Sequence, residues 1–455
     1  MRRGALFLAL ACVLGPAARG GEPASAKEAR ALSLEEAVRL ALKRSESVLA
    51  ARAAARGTEG SIAAACAGLF PTLTAQAGYT RSYLEPSAAF DLGGLAGGIP
   101  GLDADEQSDS YLATLELRQP LYSGGRLAGA IAVAREARAL AGEDVRLSEL
   151  RLVRDIRGAY DRVLLAREFA AVAAETHALA RERLEIVEAR VAAGAAREFE
   201  RLRARVQVSN RETERVMAEN AHALAAAGLL RALSLPQDTR LALTSALDEG
   251  KAAAAPGLEE ALARAKRRRP ELARLDRLIA MQRVQASLVR ADLRPTVSAT
   301  ASLGGLASDD PFEDDEWADT WSLGLLVTWP IFDGGRARGR SVEERAMLDR
   351  LLLERRALGH GIALEVRRAL VALENARRSI RSQRENEARA REGLRLAGVA
   401  LKNGAAREID VSDARTELAV ARRLHAQALF DERAARADLA FATGEPRPDS
   451  KGEDP

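Results

Sequence analysis

Two carboxylates, Asp410 and Asp413, have the type and spacing to act on charged molecules. Residues three apart on a helix share one face, and both follow closely after a turn predicted at Gly404. If this face points into an aqueous passage, the carboxylates favour cations and repel small anions. The alternative is that Asp410 and Asp413 are solvated charges at the start of a helix.

Side chains for enzyme or metal chemistry are scarce. None of the four histidines has a partner at ligand spacing, so we expect each to be a helix-surface or interface residue. Two cysteines are too few for a zinc ribbon, a haem motif or a disulfide scaffold. The glycine pairs at 124–125 and 334–335 lack the context of a phosphate loop. We therefore predict no enzyme activity, no cofactor and no metal.

The composition favours long helices. Aromatic residues make up only 4% of the 455 residues, while Ala, Leu, Glu and Arg dominate, as in coiled coils. Arginine accounts for nearly all of the 68 basic residues, yet the formal net charge is only +3. Opposite charges four residues apart, such as Glu374 and Arg378, indicate a solvated helix face. Binding to nucleic acid is not expected.

The first residues predict export. Basic residues at 2–3 precede an apolar run, Ala5–Leu14, which is typical of a signal peptide. The run is too short for a membrane span, which needs about 20 residues. We predict a signal peptide over residues 1–26, cleaved after Gly20 or Ala26.

The chain contains two copies of one plan. Three segments recur, namely 34–37 at 258–261, 119–126 at 329–336, and 194–198 at 404–408. The distance along the sequence between matching segments is shorter for the second and third segments than for the first. One longer loop in the first copy, at about 85–110, explains this difference. We predict a first structural repeat over 27–257, a second over 258–445, and a disordered tail over 446–455.

Each copy predicts a long helical hairpin. A stretch of 67 residues without proline follows each Gly-Gly-Arg, enough for a helix about 100 Å long. A shorter helix then returns, which gives hairpins over 126–234 and 336–444. A further helical segment precedes the strands of each copy and is expected to stack end to end with the returning helix. The glycines that turn strand into helix are Gly124, Gly125, Gly334 and Gly335.

Each copy also predicts two strands, because apolar and polar residues alternate strictly. The predicted strands cover about 70–84 and 111–122, then about 294–307 and 317–332. Hydroxyl-bearing residues on one face, with Trp321 and Trp329 on the other, fit a membrane barrel with lipid outside and water inside, although a soluble two-sheet module is the alternative. Four strands cannot close a barrel, so the chain must oligomerise.

These features resemble the TolC-like outer-membrane efflux proteins over nearly the whole mature chain. The segments that carry the resemblance are the repeated Leu-x-x-Ala starts, Pro71 and Pro295, the Pro-x-x-x-Gly-Gly-Arg segments from Pro120 and Pro330, and 404–415. The resemblance implies a fold that is mainly α with a membrane β part. Three chains would form a 12-stranded transmembrane β-barrel continued by a periplasmic α-helical barrel.

The resemblance also implies roles for residues at the two hairpin turns. Asp410 and Asp413 correspond to the family's pore constriction. The tips at Gly194, Arg197, Gly404 and Arg407 correspond to a gate or to a contact surface for a periplasmic adaptor. Ala405 and Ala406 replace the larger polar side chains that can occur in the family, so the details of the gate stay open.

The implied function is a trimeric exit channel of a tripartite efflux or type I secretion system. Such a channel lies in the outer membrane, extends into the periplasm, contacts outer-membrane lipid, and works with a periplasmic adaptor and an inner-membrane transporter. The alternative is a periplasmic coiled-coil adaptor or scaffold without its own pore. The choice between small-molecule efflux and protein secretion stays open.

Overall fold

The computed structural model describes residues 30–83, 107–248, 254–308 and 317–445. The predicted signal peptide and C-terminal tail, and nearly all of the long loop in the first copy, lie outside the described residues.

Two long helical hairpins dominate the fold. In the first, α3 (Arg126–Ala192) is followed by α4 (Glu198–Ala232), and in the second α7 (Arg336–Lys402) is followed by α8 (Glu408–Thr443). Residues of high helix propensity fill these segments, and no proline interrupts them. None of the helices in the described residues combines the length and the apolar character needed to span a lipid bilayer.

The helical segment before the strands is divided in both copies, where the sequence predicts one segment. The first copy has α1 (Leu34–Arg44) and α2 (Glu46–Ala67), and the second has α5 (Leu258–Arg268) and α6 (Pro270–Leu288). In the second copy, proline at 270 forces the residue before it, Arg269, into an extended conformation with ψ 117°.

The strands β2 (Thr72–Tyr83), β3 (Gln107–Tyr122), β5 (Thr296–Ser308) and β6 (Ala318–Thr328) form one antiparallel sheet in the order β2-β3-β5-β6. The sheet therefore joins the two copies through the β3–β5 pair, and β2 and β6 are its edge strands within the described residues.

The register keeps one face of this sheet apolar and the other polar. Leu73, Leu117, Ala301 and Leu323 lie side by side across all four strands, and the next row is Thr74, Glu116, Ser302 and Ser322. Large apolar side chains of the first face, such as Trp321 at 79% exposure, are open in the single chain. An apolar sheet face of this extent requires a lipid or protein environment.

The helices pack as columns. The helices α2 and α4 both pack on α3, whereas α6 and α8 pack on both α3 and α7. The pair Arg277–Glu136 holds α6 near the strand end of α3, and Arg422–Glu175 holds α8 near its other end. The shorter helices α6 and α8 therefore lie end to end between α3 and α7, as the sequence predicts.

A second, small sheet was not foreseen from the sequence. β1 (Arg30–Leu32) and β4 (Leu241–Leu243) pair in parallel and pack on the middle of α3. The buried Tyr160 of α3 holds this pair, because its hydroxyl lies 3.0 Å from the carbonyl oxygen of Leu32 and 3.0 Å from Oγ of Ser245.

Replacing Tyr160 with Phe is expected to loosen the small sheet. The substitution removes one of two donors to the carbonyl of Leu32, to which the amide of Thr244 still donates at 3.3 Å, so the expected cost is about 0.5–1.5 kcal/mol. Hydrogen exchange of the amides in β1 and β4 should accelerate accordingly. Tyr122→Phe, which alters an exposed tyrosine, is the control, and equal exchange in the two variants would contradict the assignment.

Candidate functional site

The two hairpin tips have the same backbone. Gly194 and Gly404 both have φ 71°, a left-handed conformation that glycine adopts without strain. Just beyond them, the amide of Ala195 donates to the carbonyl of Arg190 at 2.7 Å, and the amide of Ala405 donates to that of Ala400 at 2.8 Å. This bonding pattern ends a helix and reverses the chain, so both tips are sharp and similarly shaped.

Arg197 and Arg407 occupy equivalent positions, directly before the helices that return from the tips. Both have extended backbones, with ψ 150° and 157°, and exposed side chains. The amide of Arg407 donates to the Asp410 carboxylate at 2.7 Å, and the Arg407 guanidinium lies 3.6 Å from the same carboxylate. Asp410 therefore stabilises the start of α8.

Asp413 lies on the same side of α8 as Asp410, one turn from the helix start, and its side chain is exposed. The structure thus places both carboxylates at the tip of the second hairpin. Capping is one role of Asp410, whose carboxylate also has the exposed Arg407 guanidinium 3.6 Å away. Asp413 is the carboxylate that is more available to a passage.

The strand-to-helix turns position the long helices. All four turn glycines have positive φ, with values of 68°, 97°, 69° and 87° at Gly124, Gly125, Gly334 and Gly335. In the second copy, the Asp333 carboxylate accepts the amides of Gly335 at 2.9 Å and Ala337 at 2.7 Å. The bond from Ala337 is the main reason that the pKa of Asp333 lies below its usual value. This cap fixes where α7 begins.

Polar contacts join the two hairpins along the seam between α3 and α8. From the tip towards the middle they are Arg190–Glu408 at 3.7 Å, Arg183–Ser412 at 2.6 Å, Glu175–Arg422 at 2.6 Å and Asp161–Arg433 at 3.0 Å. The innermost is the most buried, and burial raises the pKa of Asp161 although Arg433 acts against it. Sequence reasoning missed this seam because its partners are more than 200 residues apart.

One histidine in each hairpin joins its two helices. Nε2 of His177 lies 3.0 Å from Glu212, and Nδ1 of His425 lies 2.6 Å from Glu387. Both contacts are interhelical, between α3 and α4 or between α7 and α8. In the described residues, no group of three or more His, Cys, Asp or Glu side chains could hold a metal ion.

The sheet and the long helices together indicate the class to which this protein belongs. A sheet with one apolar face is continuous with helices of 67 residues, about 100 Å long and thus far longer than a bilayer is thick. These features define the class of outer-membrane export channels.

A sequence model described as "Outer membrane efflux protein" matches residues 37–234 and 261–445. The chain belongs to the outer membrane efflux protein family, which confirms the resemblance that the repeated motifs indicated. It is a protein of the outer membrane that extends into the periplasm, and the adaptor or scaffold alternative is not favoured.

One relative and two solved structures are similar to this chain. Nodulation protein T of Rhizobium leguminosarum bv. trifolii is 29% identical over 184 residues, which are 39% of this chain and 38% of that protein's length. The CmeC outer membrane channel of Campylobacter jejuni superposes with a TM-score of 0.76 at 17% identity, covering 90% of this chain and 85% of CmeC. The open MtrE channel of Neisseria gonorrhoeae gives 0.73 at 21% identity, covering 90% and 88%. These two structures share the fold.

Proposed function

We propose that three copies of this chain form the exit channel of a tripartite efflux system. The observation that carries the proposal is the four-stranded sheet, which has one apolar face, one polar face and, within the described residues, β2 and β6 as edge strands. Pairing β6 of one copy with β2 of the next would close twelve strands into a barrel with lipid outside and water inside. The two hairpins of each copy would continue the wall into the periplasm.

The proposed partners follow from the two ends of the molecule. The tips around Arg197 and Arg407 would contact a periplasmic adaptor, which links the duct to an inner-membrane transporter. The apolar sheet face would contact outer-membrane lipid. No nucleic acid takes part, and the duct conducts its substrate without covalent chemistry.

Small toxic compounds are the proposed cargo, in preference to secreted polypeptides. The wall of a duct need only be wide and wet, because selection can be made by the transporter that feeds it.

The constriction of the duct is assigned to the tip carboxylates Asp410 and Asp413. Threefold symmetry would turn each of them into a ring, and such rings favour cations. Purified trimers in a planar bilayer should therefore pass a cation-selective current. Asp410→Ala/Asp413→Ala should lower the cation-to-anion permeability ratio severalfold, towards unity.

The control removes two exposed carboxylates of α7 that lie away from the tip, in Glu385→Ala/Glu392→Ala, and should keep the parental ratio. If the tip substitutions leave the permeability ratio unchanged, the constriction lies elsewhere in the duct. Absence of current from protein shown to be inserted would overturn the open duct itself.

A further inference from the structure

A large groove runs along the wall between the two hairpins. Its floor is α3 and its sides are α4 and α8, and its volume is about 1220 Å³. Volumes of this size accommodate drug-sized molecules. The groove is lined by side chains from Arg154 to Arg183 on α3, and it ends near Ser412, close to the tip.

The groove lies on the side of the wall opposite the small β1–β4 sheet. That sheet packs on the α3 face that carries Ile156, Tyr160 and Leu164. Groove-lining residues such as Arg162 and Phe169 project about half a turn away from that face. The wall is concave on the groove side, because α4 and α8 flank α3 there. In a closed ring of such walls, the concave side is the inner surface.

Positive charge dominates the lining of the groove, with seven arginines against three carboxylates. Asp155 and Glu214 are already occupied, because each is hydrogen-bonded to a neighbouring arginine of its own helix, Arg154 and Arg211. Within the described residues, the other five arginines form no ion pair with a carboxylate. These are Arg162, Arg183, Arg231, Arg415 and Arg423.

Apolar side chains lie at the same level as this charge. The guanidinium of Arg423 stacks over the Phe169 ring at 5.0 Å, an arrangement that leaves its edge free to donate. Phe430 follows two turns later on α8, and Leu224 of α4, which is 74% exposed, completes the surface. Apolar surface and unpaired cations therefore stand side by side.

We propose that this groove binds small anionic amphiphiles and so defines the cargo as molecules with an apolar body and a carboxylate, sulfonate or phosphate group. The apolar body packs on Phe169 and Leu224, and the anion is held either by Arg423, which stacks on Phe169, or by Arg162, which lies two turns away on α3. This inference rests on the proposed function, because it takes the groove as part of a duct's inner surface.

The assignment is compatible with carboxylate rings at the tip. Small ions are discriminated where a passage is narrowest, since mobile ions screen fixed charges beyond about 8 Å at physiological ionic strength. An amphiphile is instead held by direct contact, through apolar burial together with charge-assisted hydrogen bonds. The tip can thus favour cations while the groove above it binds amphiphilic anions.

The test uses two dyes that differ by one charged group. 8-Anilinonaphthalene-1-sulfonate carries the sulfonate, and N-phenyl-1-naphthylamine is its uncharged analogue. Added to single trimers in a planar bilayer, the sulfonate should block the ionic current at much lower concentration than the neutral dye. In Arg162→Gln/Arg423→Gln, half-block by the sulfonate should need about a tenfold higher concentration or more.

Arg389→Gln/Arg395→Gln is the matched control, because it removes two exposed arginines of α7 that do not line the groove, and it should leave the block unchanged. Equal block by the two dyes, or equal loss in the two double variants, would overturn the inference. A normal current without any block would show the groove covered by a neighbouring copy and would also overturn it, while the duct stands. Absence of current from the unsubstituted protein would instead overturn the proposed function.

Discussion

Arg269→Ala is expected to be the most destabilising single substitution in the helical wall. Arg269 lies at the break between α5 and α6 and is only 4% exposed. Its guanidinium bonds Glu271 at 3.0 Å, Glu365 of α7 at 2.9 Å and the carbonyl of Phe441 of α8 at 3.2 Å. One side chain thus fastens the break to both helices of the second hairpin.

The expected loss is about 3–5 kcal/mol, the usual cost of removing one partner from a buried ion pair. Glu271, whose side chain is 15% exposed, would be left beside a cavity with its main cation gone. The Phe441 ring, now stacked between Arg154 at 4.5 Å and Arg269 at 4.7 Å, would keep one guanidinium. Arg269→Lys should restore little, because an ammonium group cannot make the same forked contacts.

Thermal unfolding of the purified protein, followed by circular dichroism, measures the effect. Arg267→Ala is the control, since Arg267 is an exposed arginine at the end of α5 and should change little. Equal midpoints for the two variants would show that the contacts of Arg269 are not what holds the break in place.

The long hairpins could be predicted from the sequence because their signals are local. A glycine pair that reverses the strand, a proline-free run and a second glycine at the tip each act within a few residues. The break at Arg269 is also local, since Pro270 imposes it, but a helical pattern on both sides of the proline hid it. The β1–β4 pair has only three residues per strand, and its stability comes from packing on Tyr160, which no local pattern encodes.

The candidate site could be predicted from the sequence only in part. Spacing alone placed Asp410 and Asp413 at a helix start and left open whether they cap the helix or line a passage. The amide of Arg407 bonded to Asp410 shows that capping is one role of this carboxylate. The seam and the arginine groove were hidden, because α8 meets α3 only after the second repeat folds against the first.

Weakening the seam near the tip is expected to open the duct. The Arg183 guanidinium donates to Oγ of Ser412 at 2.6 Å, and the Arg190 guanidinium lies 3.7 Å from the Glu408 carboxylate. These contacts hold the start of α8 against the end of α3, so they oppose any outward movement of the second tip. The variant Arg183→Ala/Glu408→Ala removes both contacts without changing the net charge.

The size of the effect follows from the two contacts. A hydrogen bond from a charged group contributes about 1.5 kcal/mol or more, and an exposed pair contributes about 0–1 kcal/mol. Together they should raise the ratio of open to closed channels by about tenfold or more, since 1.4 kcal/mol corresponds to tenfold. Single-channel recording gives the open fraction directly, and the gain from losing the exposed pair should shrink at high salt.

The internal repeat supplies the matched control. Glu198 occupies in the first copy the position of Glu408, but its partner is Arg201 of its own helix, so it does not cross the seam. Arg181→Ala/Glu198→Ala therefore removes the same two residue types from the first hairpin while leaving α3 and α8 joined. If both variants open equally, charge lost anywhere near the tips is sufficient, and the seam does not hold the duct closed. If only the seam variant opens, movement of the second hairpin against the first is the opening step.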